Sequence, residues 1–223
     1  MSTAILIHGC HLQAKGWHHI VWGDPANGIL GRVPKGVQEA RRWNASTIVF
    51  PTGASEKEGV KEGKYTLRYA LDRVGELTGL LRMDPEAIAD WLATRAVLDV
   101  TSQDTRTEVL ASARIAHDRG DTSIVLVSCR SHIMRCLKEA ISVLEKEPTL
   151  SRFLNNLYAT AADTTYDGTT VDDVFVLEPP HRGDRPDVPI YKNALRINEL
   201  RRDPKRAALF NEEFGALLER YGA

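Results

Sequence analysis

Cysteine is scarce in this chain, aromatic residues are few, and no apolar run approaches the length of a membrane span. The three cysteines, Cys10, Cys129 and Cys136, are too few and too unevenly spaced for a disulfide framework or a zinc knuckle. No apolar stretch reaches the roughly 18 residues that a transmembrane helix needs. The opening residues, MSTAILIHGC, place no basic segment ahead of their short apolar run, unlike a secretory leader. A surplus of one charge is missing as well: the formal net charge is −1, which argues against wholesale nucleic-acid binding or electrostatic attachment to a membrane. These absences predict a reduced, cytoplasmic protein with neither nucleic acid nor membrane as a partner.

Three catalytic signatures are also lacking. There is no G-x-G-x-x-G, no G-x-x-x-x-G-K-[ST] and no G-x-S-x-G, so an ordinary dinucleotide dehydrogenase, a P-loop NTPase and an α/β-hydrolase are disfavoured.

What is present is a run of short apolar segments alternating with amphipathic ones, the pattern of a layered α/β sheet. AILIH (4–8), TIVFP (47–51), AVLDV (96–100) and SIVLVS (123–128) read as strands, and VDDVFVLEP (171–179) as a last one. Helices are expected from about Pro34 to Trp43, Glu62 to Leu81, Pro85 to Thr94, Asp104 to Gly120 and His132 to Lys146. Two more follow over 190–202 and from Pro204 to Tyr221. Residues 9–31 show no helical pattern and read as one long loop, as does ATAADTTYDGTT (159–170), with a turn at Asp167-Gly168. The expected fold is a Rossmann-like, open, largely parallel sheet with helices on both faces, plus C-terminal helices. Residues 1–147 form its core, and 148–223 add the last strand and those helices to the same domain.

In such sheets ligands bind beyond the carboxyl ends of the strands, so the strand exits carry the functional information. The exit of SIVLVS is the richest, with Ser128, Arg130, Ser131, His132 and Arg135 in eight positions. Hydroxyls and main-chain amides at a helix start favour an anion. The same helix terminus disfavours imidazolium, leaving His132 neutral and able to exchange a proton. Helix capping by Ser131, with surface His and Arg, is the plain alternative. A second set, Asp99, Ser102, Thr105 and Glu108, places hydroxyls and a carboxylate at the next exit, with Glu108 suited to orient a basic partner such as Arg135; simple capping is again the alternative. His8, Cys10 and His11 invite a metal or thiol reading, but no metal-ligand spacing supports it, and Gly9 reads better as a point of close backbone approach. Trp17 and Trp22, in the long loop, are candidates for stacking on a flat ligand, with core packing the commoner role.

Assembled, these residues resemble the YdcF/SanA/ElyC family, built around a domain of unknown function. Its glycine strand exit, helix-opening arginine and Ser-Gly-Gly exit correspond to Gly9, Arg32 and Thr52-Gly53-Ala54, followed by an acid at Glu58 or Glu62. Its E-x-x-S-x-x-T-x-x-N then aligns with Asp99, Ser102 and Thr105, with Glu108 near the asparagine. Its V-T-S-x-x-H-x-x-R-A aligns with Val127-Ser128-Cys129, His132 and Arg135, Cys136 standing for the alanine. The resemblance spans roughly residues 4–145. It implies a Rossmann-like fold with a polar pocket at the strand ends, and S-adenosylmethionine as a candidate cofactor, bound in one branch of the family.

Together these readings lead to an enzyme acting on a small anionic, phosphate- or nucleotide-like substrate. His132 and Glu108 are its catalytic candidates. Gly9, Arg32, Thr52, Gly53, Glu62, Ser102, Thr105, Ser128, Arg130, Ser131 and Arg135 are its binding candidates, and no resident metal is expected. The alternative is an S-adenosylmethionine- or nucleotide-binding protein without chemistry of its own. Transfer or hydrolysis, the substrate itself and homodimer formation stay open at this stage.

Overall fold

The structure, a computed structural model, describes residues 2–166 and 203–221. The chain divides into two compact units, Met1–Val174 and Phe175–Ala223. The strand expected over 171–179, the helix over 190–202 and the turn at 167–168 lie outside the described residues.

Five strands form the central sheet of the first unit: β1 (Thr3–Ile7), β4 (Thr47–Pro51), β7 (Ala96–Asp99), β8 (Ser123–Ser128) and β9 (Leu157–Ala161). Their spatial order is β7-β4-β1-β8-β9, and every pairing is parallel. The chain first builds outward from β1 to β4 and β7, then returns to the other side of β1 for β8 and β9. The reversal opens a crevice beyond β1 and β8, where ligands sit in sheets of this kind.

Side chains alternate across the strands, and each set meets its own helices. Ile5, Ile7, Ile48, Phe50, Val125 and Val127 face one side. They pack under α1 (Trp17–Val21), α2 (Arg32–Arg42), α3 (Glu62–Leu71), α4 (Thr78–Leu81) and α5 (Pro85–Arg95). Ala4, Leu6, Val49, Ile124 and Leu126 face the other, under α6 (Thr105–Asp118) and α7 (Ile133–Lys146). Both faces of the central strands are therefore buried, which explains their continuous apolar runs.

Local chemistry sets the helix starts. Asp104 accepts from the Thr107 amide at 2.8 Å, while the Asp104 amide donates to the Thr107 hydroxyl at 3.1 Å, closing a capping box on α6. Asp84 caps α5 through the Ala87 amide at 2.9 Å, with Pro85 at the first helical position.

Three expectations need correction. Residues 9–31 are not one featureless loop: they hold α1 and a small ribbon of β2 (Gly23–Asp24) and β3 (Ile29–Leu30). The helix expected over 62–81 breaks after Leu71, passes through a 3-10 turn at Val74–Leu77 and resumes as α4. Start of the polar run 159–170 belongs to β9, which pairs with β8 from Ile124↔Leu157 to Ser128↔Ala161. An edge strand buries little, so its apolar signal is weak. A hairpin of β5 (Glu56–Lys57) and β6 (Val60–Lys61) precedes α3.

In the second unit the described part is one helix, α8 (Pro204–Tyr221), at the boundaries expected from the sequence. Phe210 and Phe214 stack along it with ring centroids 5.4 Å apart. Among the described residues no helix is long and apolar enough to cross a membrane.

Candidate functional site

The exit of β1 and the exits flanking it meet around Gly9. A Cβ at Gly9 would stand 2.4 Å from Glu62 Oε1, 2.9 Å from Glu108 Oε1 and 2.9 Å from the Thr52 methyl. Two carboxylate ends and a threonine methyl occupy the space that a side chain here would take, so glycine lets all three approach the backbone closely.

Glu108, from the first turn of α6, pairs with His8 at the end of β1: Nδ1 and Oε2 are 2.7 Å apart and both residues are buried. This replaces the expected partner, Arg135. Burial opposes charge on His8, but the Cys136 sulfur and the Glu108 carboxylate outweigh it, raising the imidazole from 6.5 to about 9. His8 Nε2 is buried with no hydrogen-bond partner.

His132 stands at the N-cap of α7, as the sequence predicts to within one residue. Its Nδ1 lies 3.0 Å from Ser128 Oγ and 3.3 Å from Cys136 Sγ, and its Nε2 lies 3.5 Å from Thr105 Oγ1. Burial, joined by the positive charges of Arg32, His8 and Arg135, drives this imidazole down from 6.5 to about 2. The rings of His8 and His132 meet nearly perpendicular, with centroids 6.2 Å apart.

Glu62, from the first turn of α3, is 1% exposed. Ser55 donates to its Oε2 at 2.5 Å and is itself held by the Leu12 amide at 3.0 Å. Its Oε1 has no hydrogen-bond partner. Burial pushes the Glu62 carboxyl up from 4.5 to about 7, with Glu108 adding to the rise and the Ser55 hydrogen bond opposing it.

Arg32, the first residue of α2, is fully buried and turns toward protein acceptors. Nη1 donates to the carbonyls of His8, at 3.2 Å, and Gly9; Nη2 donates to Cys129 Sγ at 3.2 Å and to the Tyr166 hydroxyl at 2.9 Å. Only Nε is left without a partner. The guanidinium therefore ties the exits of β1 and β8 together from within.

At the β4–β7 end, the Thr52 hydroxyl and the Gly53 amide both donate to the Ser102 carbonyl, the latter at 2.9 Å, and Ser102 Oγ donates to Thr52 Oγ1 at 3.1 Å. These three residues lock two strand exits to each other. Hydrogen bonds from Ser102 and Thr101 outweigh burial and hold the Asp99 carboxyl below its usual range. The crevice rim is looser: Ser131 Oγ meets Thr165 Oγ1 at 2.7 Å, Arg130 reaches Asp163 at 3.5 Å, and Arg135 is exposed.

The expected residues thus separate into three groups. Gly9, Glu62, Glu108, Thr105, Ser128 and His132 converge with His8. Thr52, Gly53, Ser102 and Arg32 frame them, while Arg130, Ser131 and Arg135 edge the opening. The structure adds His8 as the partner of Glu108, with Ser55, Cys129 and Tyr166; the first three stand at strand exits in the sequence, whereas Tyr166 lies in a stretch read as loop. Burial pushes the Cys10 thiol up, away from nucleophilic thiolate. Trp22 is fully buried and donates to Glu76 at 2.6 Å, and Trp17 donates to the Cys10 carbonyl at 2.8 Å while packing on Tyr65 and Tyr69. Neither indole is poised to stack on a ligand. Among the described residues, no three His, Cys, Asp or Glu side chains form a group that could hold a metal ion.

Comparison with known proteins adds no relative: no family model, no curated protein and no solved structure matches this chain.

Proposed function

We propose that this chain is an enzyme acting on a small anionic substrate, phosphorylated or nucleotide-like, bound in the crevice beyond β1 and β8. The observation that carries the reading is the pair of adjacent imidazoles, ring centroids 6.2 Å apart, one held by a carboxylate and the other by hydroxyls, surroundings that push His8 up and His132 down. Neighbouring titratable groups pushed apart in this way mark an acid and a base. His132, neutral and next to Ser128 and Thr105, accepts or relays a proton. His8, charged and steadied by Glu108, supplies positive charge from beneath. Arg135 and the polar start of α7 face the anion at the rim. The spacing of Ser128, His132 and Arg135 supports kinship with the YdcF/SanA/ElyC family and, through it, a nucleotide-like ligand.

The unpartnered acceptor on Glu62 favours a second reading: a nucleotide- or S-adenosylmethionine-binding protein without chemistry of its own. A ligand hydroxyl or amine would satisfy that buried oxygen. A thermal-shift panel of nucleotides, sugar phosphates and S-adenosylmethionine, followed by turnover assays on whatever binds, separates the two. Catalysis requires consumption of the stabilising ligand and its loss in His132→Ala with the fold intact. Stabilisation without consumption leaves the binding protein, and no shift with any ligand overturns both.

A further inference from the structure

The two carboxylates at the centre of the crevice, one paired with His8 through its other oxygen, present free oxygens to the space an anionic substrate would enter. Like charges in a buried space repel strongly, and Glu62 and Glu108 both aim an oxygen at the space beside Gly9. Their other oxygens are already committed, Glu62 Oε2 to the Ser55 hydroxyl at 2.5 Å and Glu108 Oε2 to His8 Nδ1 at 2.7 Å. Such anchoring is how carboxylate ligands of metal ions are oriented: one oxygen is fixed by a hydrogen-bonding neighbour and the other is presented. The presented oxygen of Glu62 is the telling one, since it is buried, belongs to a residue 1% exposed and has no partner in the protein. A buried acceptor of this kind is costly unless a ligand completes it.

We propose that Glu62 Oε1 and Glu108 Oε1 hold a divalent cation of the magnesium or manganese kind, with its remaining positions filled by water and an oxygen of the anionic substrate. This rests on the anionic-substrate reading above. Two protein carboxylates are too few for a closed cage, in keeping with the absence of any three-residue metal group among the described residues. They suit a hard cation that keeps several waters and binds through one or two carboxylates plus substrate phosphate. The final torsion of a glutamate is soft, so both oxygens can turn onto one ion without disturbing the backbone. No metal is needed for the fold, because Ser55 and His8 already hold both side chains.

Manganese titration of the full chain, followed by electron paramagnetic resonance, tests this directly. One bound Mn²⁺ per chain is expected, with affinity weakened at least about tenfold in Glu62→Gln. That variant removes a buried charge without changing volume, and circular dichroism checks its fold; Glu108→Gln serves as a second variant. In calorimetry, inorganic phosphate should bind the wild type about tenfold more tightly with Mg²⁺ than with a chelator. Absence of Mn²⁺ binding, with or without phosphate, overturns the proposal, as does an Mn²⁺ affinity unchanged from wild type in both glutamine variants. Phosphate binding that ignores Mg²⁺ also overturns it while leaving the anionic-substrate reading standing. Glu62-dependent Mn²⁺ binding supports the site even if no anion in the thermal-shift panel binds, in which case the substrate reading alone fails.

Discussion

His8 and His132 meet edge to face at the exits of adjacent parallel strands, one imidazole held charged and the other neutral. The difference arises from their neighbours. His8 has the Cys136 sulfur and the Glu108 carboxylate beside it, whereas His132 is buried among hydroxyls with the cations Arg32, His8 and Arg135 nearby. Imidazole ¹⁵N spectra collected from pH 4 to 10 should show His132 neutral throughout and His8 losing its proton near about 9. In Glu108→Gln the His8 midpoint should fall. An unchanged His8 midpoint would show that the carboxylate does not sustain its charge.

Stability should depend on pH in two opposing ways. His8 and Glu62 both have raised values, so each contributes fully below its unfolded value and loses that contribution as pH rises. The windows run from 4.5 to about 7 for Glu62 and from 6.5 to about 9 for His8. His132 has a lowered value, so the unfolded chain takes up its proton first and stability is lost as pH falls from 6.5 toward about 2. Thermal midpoints should therefore be highest in mildly acidic buffer and decline toward pH 9. Between pH 4.5 and 6.5 the Glu62 loss and the His132 gain offset each other, so Glu62→Gln should rise across that range where wild type is nearly level; a curve parallel to wild type there would contradict the Glu62 assignment.

Two glycine replacements should behave differently. At Gly53 a Cβ would meet the Val100 carbonyl at 2.0 Å, a backbone atom that cannot move aside. Gly53→Ala should cost roughly 1–3 kcal/mol in urea unfolding, the usual range for overpacking. At Gly9 the nearest atom is the end of the Glu62 side chain, so Gly9→Ala should cost less and instead abolish ligand-induced stabilisation. A normal ligand response in folded Gly9→Ala would remove the Gly9 face from the site.

Arg32 offers a test of its framing role. Arg32→Met would leave the carbonyls of His8 and Gly9 and the part-buried Tyr166 hydroxyl without this donor, and a loss of about 1–3 kcal/mol is expected. Arg32→Lys should not restore it, since one ammonium cannot reach both pairs of acceptors that the planar guanidinium spans. Urea midpoints of the three proteins decide the matter; a fully stable lysine variant would reduce Arg32 to a plain buried charge.

Strands β1, β4 and β8 were legible because burial on both faces writes them as unbroken apolar runs, while β7, at the other edge, was legible from the short run AVLDV although Leu98 is exposed. Pro85 and Asp104 announced their helices through local chemistry confined to one turn. β9 was hidden because it lies at the sheet edge, with Tyr158, Ala159 and Thr160 only partly covered. The helix over 62–81 looked continuous because apolar spacing persists through Val74 and Leu77 even where the backbone leaves the helix. At the site, residues near one strand exit could be grouped by sequence proximity. The His8–Glu108 pair, separated by 100 positions, and Tyr166, in a polar stretch read as loop, depend on the order of strands in space and leave no local trace.

The buried guanidinium also marks where this pocket can be re-engineered. Because Arg32 binds the main chain of the β1 exit and the sulfur of the β8 exit, the floor behaves as a fixed chassis. Arg130, Ser131 and Arg135 sit outside it, so libraries confined to those three positions should retune ligand preference without touching the frame that holds the two imidazoles.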